Sequence, residues 1–164
     1  MESIYCEPVA ARKAHSNPMS SSERPPTLDP AAAARWAALP RRQPASPWLH
    51  EEVASRMLER LDVIRLQPQS WANWEPLRGG IEAHRQLLKR YPTAPVWLAA
   101  GQAEQARLVQ KHTQGAWWSR WRGPAVHLDT PPAAGVQMLW ANMLLHHAAD
   151  PQALIDAWHR ALAV

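Results

Sequence analysis

Residues 136–164, VQMLWANMLLHHAADPQALIDAWHRALAV, restrict the fold more than any other stretch. The apolar run Val136-Gln137-Met138-Leu139-Trp140-Ala141 is short and lies between Gly135 and Asn142, which favours a buried strand over a helix. Asp150-Pro151 follows, a capping side chain and then a residue suited to the first helical position, so a helix is predicted to start there. Leu154, Ile155, Trp158, Ala161 and Leu162 fall on one face of that helix, and Gln152, Asp156, His159 and Arg160 on the other. A buried strand feeding an amphipathic helix is half of an α/β unit and needs further strands beside it.

The preceding sequence offers three more strands. Ser70 to Glu75, Val96 to Ala100 and Ala125 to Leu128 read as strands one to three, with Val136 to Ala141 as the fourth. Helices are predicted over Ala31–Leu39, ended by Pro40, and from Ser46-Pro47 onward, where Leu49, Val53, Met57 and Leu61 form an inward face. Glu51 and Glu52 stand early in that second helix, favourably for its dipole. Two further helices span Ile81–Tyr91 and Gln102–His112, the latter with Ala103, Ala106 and either Leu108 or Val109 inward. Pro76 to Gly80 reads as a loop.

A chain of 164 residues with 46% hydrophobic content can build one modest core. Residues 1–30, rich in Ser, Pro and charge, are predicted to be a disordered tail ahead of one domain over 31–164, and Met19 stands beside Met1 as a candidate start. The single cysteine, Cys6, provides neither a disulfide framework nor a cysteine zinc site, which suits a cytoplasmic protein. No long apolar segment points to a membrane. The net charge of +4 suits acidic partners without choosing among them.

The run LWANMLLHHAADPQALIDAWHRAL resembles the fourth strand and following helix of class I S-adenosylmethionine-dependent methyltransferases. More narrowly, it is similar to the malonyl-acyl-carrier-protein methyltransferases of the biotin pathway. WLHEEVASRMLERLDVIRLQP matches the helix that precedes the first strand in that family. The resemblance implies a Rossmann-like three-layer α/β sandwich, here with a shortened, mainly parallel sheet of about four strands. It implies S-adenosylmethionine as the cofactor, if any is bound, with Gly79, Asp129 and Asn142 on the cofactor side, Asp129 toward the adenine. No catalytic residue is assigned. An acyl-carrier protein or another chain is the implied partner.

The same register exposes departures. Asn73 takes the acidic position at the end of the first strand, Glu75 and Leu77 take the first two of three glycine positions, and only Gly79 keeps the third. Ala100 stands where the family has an acidic ribose ligand, with Glu104 one helical turn on. Bulky groups at glycine positions would clash with the cofactor or reshape the turn, which points to weakened or lost activity. The family continues through three further strands, so the domain is read as incomplete, its last strand an edge unless a partner covers it.

Residues 115–123, GAWWSRWRG, interleave Trp117, Trp118 and Trp121 with Arg120 and Arg122. Two readings stand: a surface that grips an anionic partner or stacks bases, or Arg stems packed over Trp. No repeat or regular spacing supports nucleic-acid binding. Ten Trp and no Phe likewise fit either core filling or stacking platforms. His146-His147 with Asp150 lacks a second ligand pair, so no metal site is predicted, and no GxSxG, P-loop or HExxH motif occurs.

Overall fold

The computed structural model describes residues 28–38, 45–101, 103–113 and 123–163. At its centre is β1 (Trp71–Trp74), which pairs in parallel with β2 (Val96–Ala99) on one side and β4 (Met138–Ala141) on the other. The two-residue β3 (Val126–His127) pairs in parallel with β2, giving the order β3-β2-β1-β4. All four predicted strands are present, and the sheet is wholly parallel.

Strand side chains alternate between faces, and the sequence of β1 obeys that alternation. Trp71 joins Val96, Leu98 and Trp140 in the main core, under Ala83 and Leu87 of α4 (Ile81–Arg90) and Ala106 and Val109 of α5 (Ala103–Thr113). Ala72 faces the other way, toward Val136 and toward Ala161 of α6 (Pro151–Ala161). Trp74 shares that second face and meets Trp158 edge-on, ring centroids 6.1 Å apart. Helices therefore cover both faces, as an all-parallel sheet requires. The architecture is α/β and Rossmann-like.

Helix α6 starts as its sequence dictates: the Asp150 carboxylate accepts the Ala153 N–H at 2.9 Å, with Pro151 in the first helical position. Its inward face is narrower than predicted, because Ile155 is exposed. In α2 (Trp48–Arg60) the inward face turns about Ala54, the one buried residue, with Met57 and Leu58 beside it; Leu49 is exposed. Helix α1 (Pro30–Ala38) matches the predicted Ala-rich helix. The tail over 1–30 lies outside the described residues except for its last three, and of the segment 115–123 only Gly123 is described. No helix among the described residues is long and apolar enough to cross a membrane.

The Trp complement divides. Trp71 and Trp140 fill the core, whereas Trp48 and Trp36 are exposed.

One polar pair is sealed within the main core. Asn73 and His84, each 1% exposed, meet with Asn73 Nδ2 3.0 Å from His84 Nδ1, so the amide donates to an unprotonated imidazole nitrogen. Burial, with the Arg85 charge adding repulsion, lowers the His84 pKa from 6.5 to about 3. The unfolded chain takes up this proton below about pH 6.5 and the folded chain does not until about pH 3. Stability from neutral His84 is thus complete above pH 6.5 and is lost as pH falls toward 3. The slope predicts a loss of about 2 kcal/mol from this residue between pH 6.5 and 5. Urea denaturation at pH 7.5 and 5 should show a clearly smaller drop in His84→Gln than in the wild type; equal drops would contradict the assignment.

Candidate functional site

Four parallel strands bring their carboxyl ends to one edge of the sheet. From β1 the chain moves to β2 on one side and later returns to β4 on the other, and open α/β sheets hold ligands in the crevice outside such a reversal. A cavity of about 210 Å³ lies there. Trp74 and Glu75 line it from β1, Gly101 from the end of β2, and Leu144 and His147 from the segment after β4. Gln105 of α5, Leu154 of α6 and Trp36 and Ala37 of α1 also contribute, as does Arg78. The volume is below the roughly 300–1,000 Å³ usual for small-molecule sites.

The turn after β1 shapes the cavity. Glu75 has φ 53° and ψ 52°, the left-handed conformation that glycine adopts freely and other residues adopt at a cost of about 1–3 kcal/mol. Its carboxylate leaves the turn and accepts the Gly101 N–H at 2.5 Å, bridging the ends of β1 and β2. A Cβ on Gly101 would lie 3.0 Å from Glu75 Oε1, so glycine there permits the approach.

The expected loop Pro76–Gly80 is instead one helical turn, α3 (Pro76–Gly79). Leu77 accordingly points into the main core, 1% exposed, and does not enter the ligand space. The crowding expected at this second glycine position is relieved by a reshaped turn. Gly80 has φ 130°, and an added Cβ would sit 2.9 Å from Ala54 Cβ, so α2 packs directly on the turn.

Helix N-termini expose unpaired N–H groups that favour anions. At α4 the first two of these donors are already satisfied from within. Glu51 Oε1 accepts the N–H groups of Ile81 and Glu82 at 2.8 and 3.2 Å, and Ser46 Oγ accepts that of Ile81 at 2.8 Å. Glu51 stands in the first turn of α2 as expected, and its carboxylate serves the start of α4 as well.

Arg78 is buried at 7% exposure yet finds acceptors. Nη2 donates to the carbonyls of Trp36 and Ala37 at 3.1 and 3.2 Å, and Nε lies 3.8 Å from Glu75 Oε2. The Arg78 carbonyl accepts from His50 Nδ1 at 2.7 Å, which places the imidazole proton on that nitrogen. Sequence reasoning missed Arg78, Trp36 and His147 as cavity residues. The Arg-Gly-Gly stretch reads as an ordinary polar loop, and nothing local in the sequence ties it to a helix some 40 positions earlier.

The structure joins two of the three expected cofactor-side residues. Asn142 Nδ2 donates to the carbonyls of Gly79, at 2.5 Å, and His50, at 2.8 Å, and an added Cβ on Gly79 would lie 3.2 Å from Asn142 O. This pair ties α2, α3 and the end of β4 together, and neither residue is on the cavity wall. Asp129 is exposed beyond the end of β3, also off that wall, and Glu104 is exposed on α5. Trp117, Trp118, Arg120, Trp121 and Arg122 lie outside the described residues. Among the described residues no three of His, Cys, Asp and Glu gather in a metal-holding group.

This geometry meets a sequence comparison. The chain is 32% identical over 135 residues to a malonyl-[acyl-carrier protein] O-methyltransferase of Gallionella capsiferriformans (strain ES-2). It is a distant relative of a methyltransferase. The match covers 72% of this chain and 42% of that protein, so the chain spans less than half of its relative's length. No family model matches the sequence, and no solved structure matches it significantly.

Within this methyltransferase-like domain Asn142 is spent on the fold, which predicts a stability effect. Asn142→Ala leaves the buried carbonyl of Gly79 and that of His50 without this donor and should destabilise the chain by about 2 kcal/mol or more. Asn142→Asp, which cannot donate, should cost at least as much. Urea denaturation at pH 7.5 measures both, and an unchanged midpoint would refute the role.

Proposed function

We propose that this chain is a degenerate methyltransferase-like protein, related in origin to the malonyl-acyl-carrier-protein methyltransferases of biotin biosynthesis, with S-adenosylmethionine-dependent activity weakened or lost. One observation carries the reading: the Glu75 carboxylate reaches across the ends of β1 and β2 to the Gly101 N–H. In this fold class a ligand crosses that edge. A resident carboxylate there takes the space and adds a negative charge beside any carboxylate the ligand carries. The internally capped α4 and the small cavity agree with it.

Were activity retained, methyl transfer to the free carboxyl of a malonyl thioester would be the reaction. It needs chiefly that two reactants be held in line, with little acid or base assistance. If S-adenosylmethionine bound, it would supply the methyl group, and the lining residues Glu75 and Arg78 would face it. Glu75 does not fit this role, since its carboxylate fills the bridge between the strands.

A second reading, a non-catalytic module in the cytoplasm that binds an acyl-carrier protein or another chain, draws on β4. Among the described residues β4 pairs only with β1, and its outer edge is uncharged. An open strand edge is a template for pairing with another chain.

A thermal-shift titration with S-adenosylhomocysteine, the demethylated product, tests the primary reading. A functional site with a Kd near 10 μM would be stabilised by about 2.7 kcal/mol at a hundredfold excess. That corresponds to a rise in Tm of roughly 5–10 °C for a chain of this size. No shift is expected at millimolar ligand, and a saturable rise of that size would overturn the loss of cofactor binding.

A further inference from the structure

Helix α1 buries none of its nine residues, and Trp36 stays 45% exposed. Its described contacts with the rest of the molecule lie at its C-terminal end. The last carbonyls of an α-helix lack partners within the helix, and the buried Arg78 guanidinium donates to two of them, those of Trp36 and Ala37. A cation at this position also complements the helix dipole. The same guanidinium lies 5.8 Å from the centroid of the Trp36 ring. That ring stacks on His147, centroids 5.1 Å apart with 27° between planes. Trp36 and Ala37 thereby become a wall of the cavity at the carboxyl ends of the strands.

We propose that α1 is a releasable lid over this cavity and that Arg78 is its latch. The inference rests on reading the carboxyl edge as an inherited ligand site, and it assigns the control of access to that site. Helices shorter than about 12 residues are marginal alone in water, so α1 is helical because it is docked. With no residue fully buried, its docking draws on the Arg78 hydrogen bonds and the Trp36–His147 stack. Opening then requires breaking a few contacts at one end, at far lower cost than unfolding the sheet. Release removes one wall and uncovers Trp74 and Glu75.

Hydrogen–deuterium exchange of the full chain, followed by mass spectrometry without any methyl donor, tests this. In the wild type the α1 amides should exchange more slowly than a free peptide and faster than those of α4. Arg78→Gln should speed exchange in α1 by roughly tenfold or more, the effect of losing one hydrogen bond of ordinary net strength. Trp36→Ala, which keeps the carbonyl but removes the ring from His147 and Arg78, should speed it several-fold, on the order of 1 kcal/mol of ring contact. Both should leave α4 and β1 unchanged. Trp36→Phe, which keeps a ring against His147, should preserve most of the protection. Trp36 is half exposed, so Trp36→Ala decides the matter even if Arg78→Gln fails to fold. Unchanged exchange in α1 of Trp36→Ala, or equal acceleration in α4, would overturn the lid. Exchange reads the lid alone and ligand titration reads the site alone, so the two proposals fail separately.

Discussion

Everything in this molecule depends on β1 being hydrogen-bonded along both edges while covered on both faces. Four residues, WANW, meet those demands. Trp71 and Asn73 serve the side that α4 and α5 cover, and Ala72 and Trp74 serve the side of α6. The two covers are unequal. The main core gathers Trp71, Leu77, Leu87 and Leu98 as fully buried side chains, each of the leucines worth about 1.5–3 kcal/mol. Among the described residues the opposite cluster holds Ala72, Val136 and Ala161 as buried members, with the partly buried Trp97 and Leu162 packed against it. Small residues there bring α6 close to the sheet, but they bury little area.

The candidate site follows from where β1 ends. A strand that stops at a sheet edge leaves backbone donors pointing outward, and buried donors must find acceptors. In a ligand-binding sheet the ligand is one such acceptor. Here side chains of the protein take that part: Glu75 accepts from Gly101, while Glu51 and Ser46 accept from the start of α4. Arg78 applies the same rule in reverse, supplying a donor to the open carbonyls of α1. Several donors at the carboxyl edge are therefore satisfied by the chain's own polar groups. Glu75 shows how this comes about at one position. The turn keeps the backbone conformation of glycine at a residue with a long acidic side chain, and the hydrogen bond to Gly101 helps offset the conformational cost.

The strands were legible in the sequence because each is a short apolar run between turn residues, and α6 because Asp150-Pro151 marks its start. Helix faces were less legible, since periodicity reports which residues share a side but not how wide the contact is. Ile155 and Leu49 fit their patterns and are exposed, while Ala54, too small to stand out, is the buried centre of α2. At the site, the register that put Glu75 and Leu77 at glycine positions identified the turn but not the direction of its side chains. One turn of helix sends Leu77 into the core and leaves Glu75 at the edge. The polar ties between distant segments had no local signature at all. Asn142 reaches back 63 and 92 positions to Gly79 and His50, and Glu51 reaches forward 30 to Ile81. Hydrogen bonds of that separation depend on the finished packing.

The outer edge of β4 is the complement of this carboxyl edge. Leu162 forms a parallel bridge with Val136, and the Ala163 N–H donates to the Val136 carbonyl at 2.8 Å. A strand direction is thus already set beside β4. From Met138 to Ala141 the side chains are Met, Leu, Trp and Ala, with no charge or proline of the kind that guards sheet edges against pairing. The thinner of the two cores lies beneath the same region, and Ile155 of α6 is exposed near it in the chain. A strand added along β4 would satisfy open backbone groups and also widen the poorly covered face. The polar chemistry at one side of the sheet turns inward, while the apolar backbone edge at the other remains suited to an added strand.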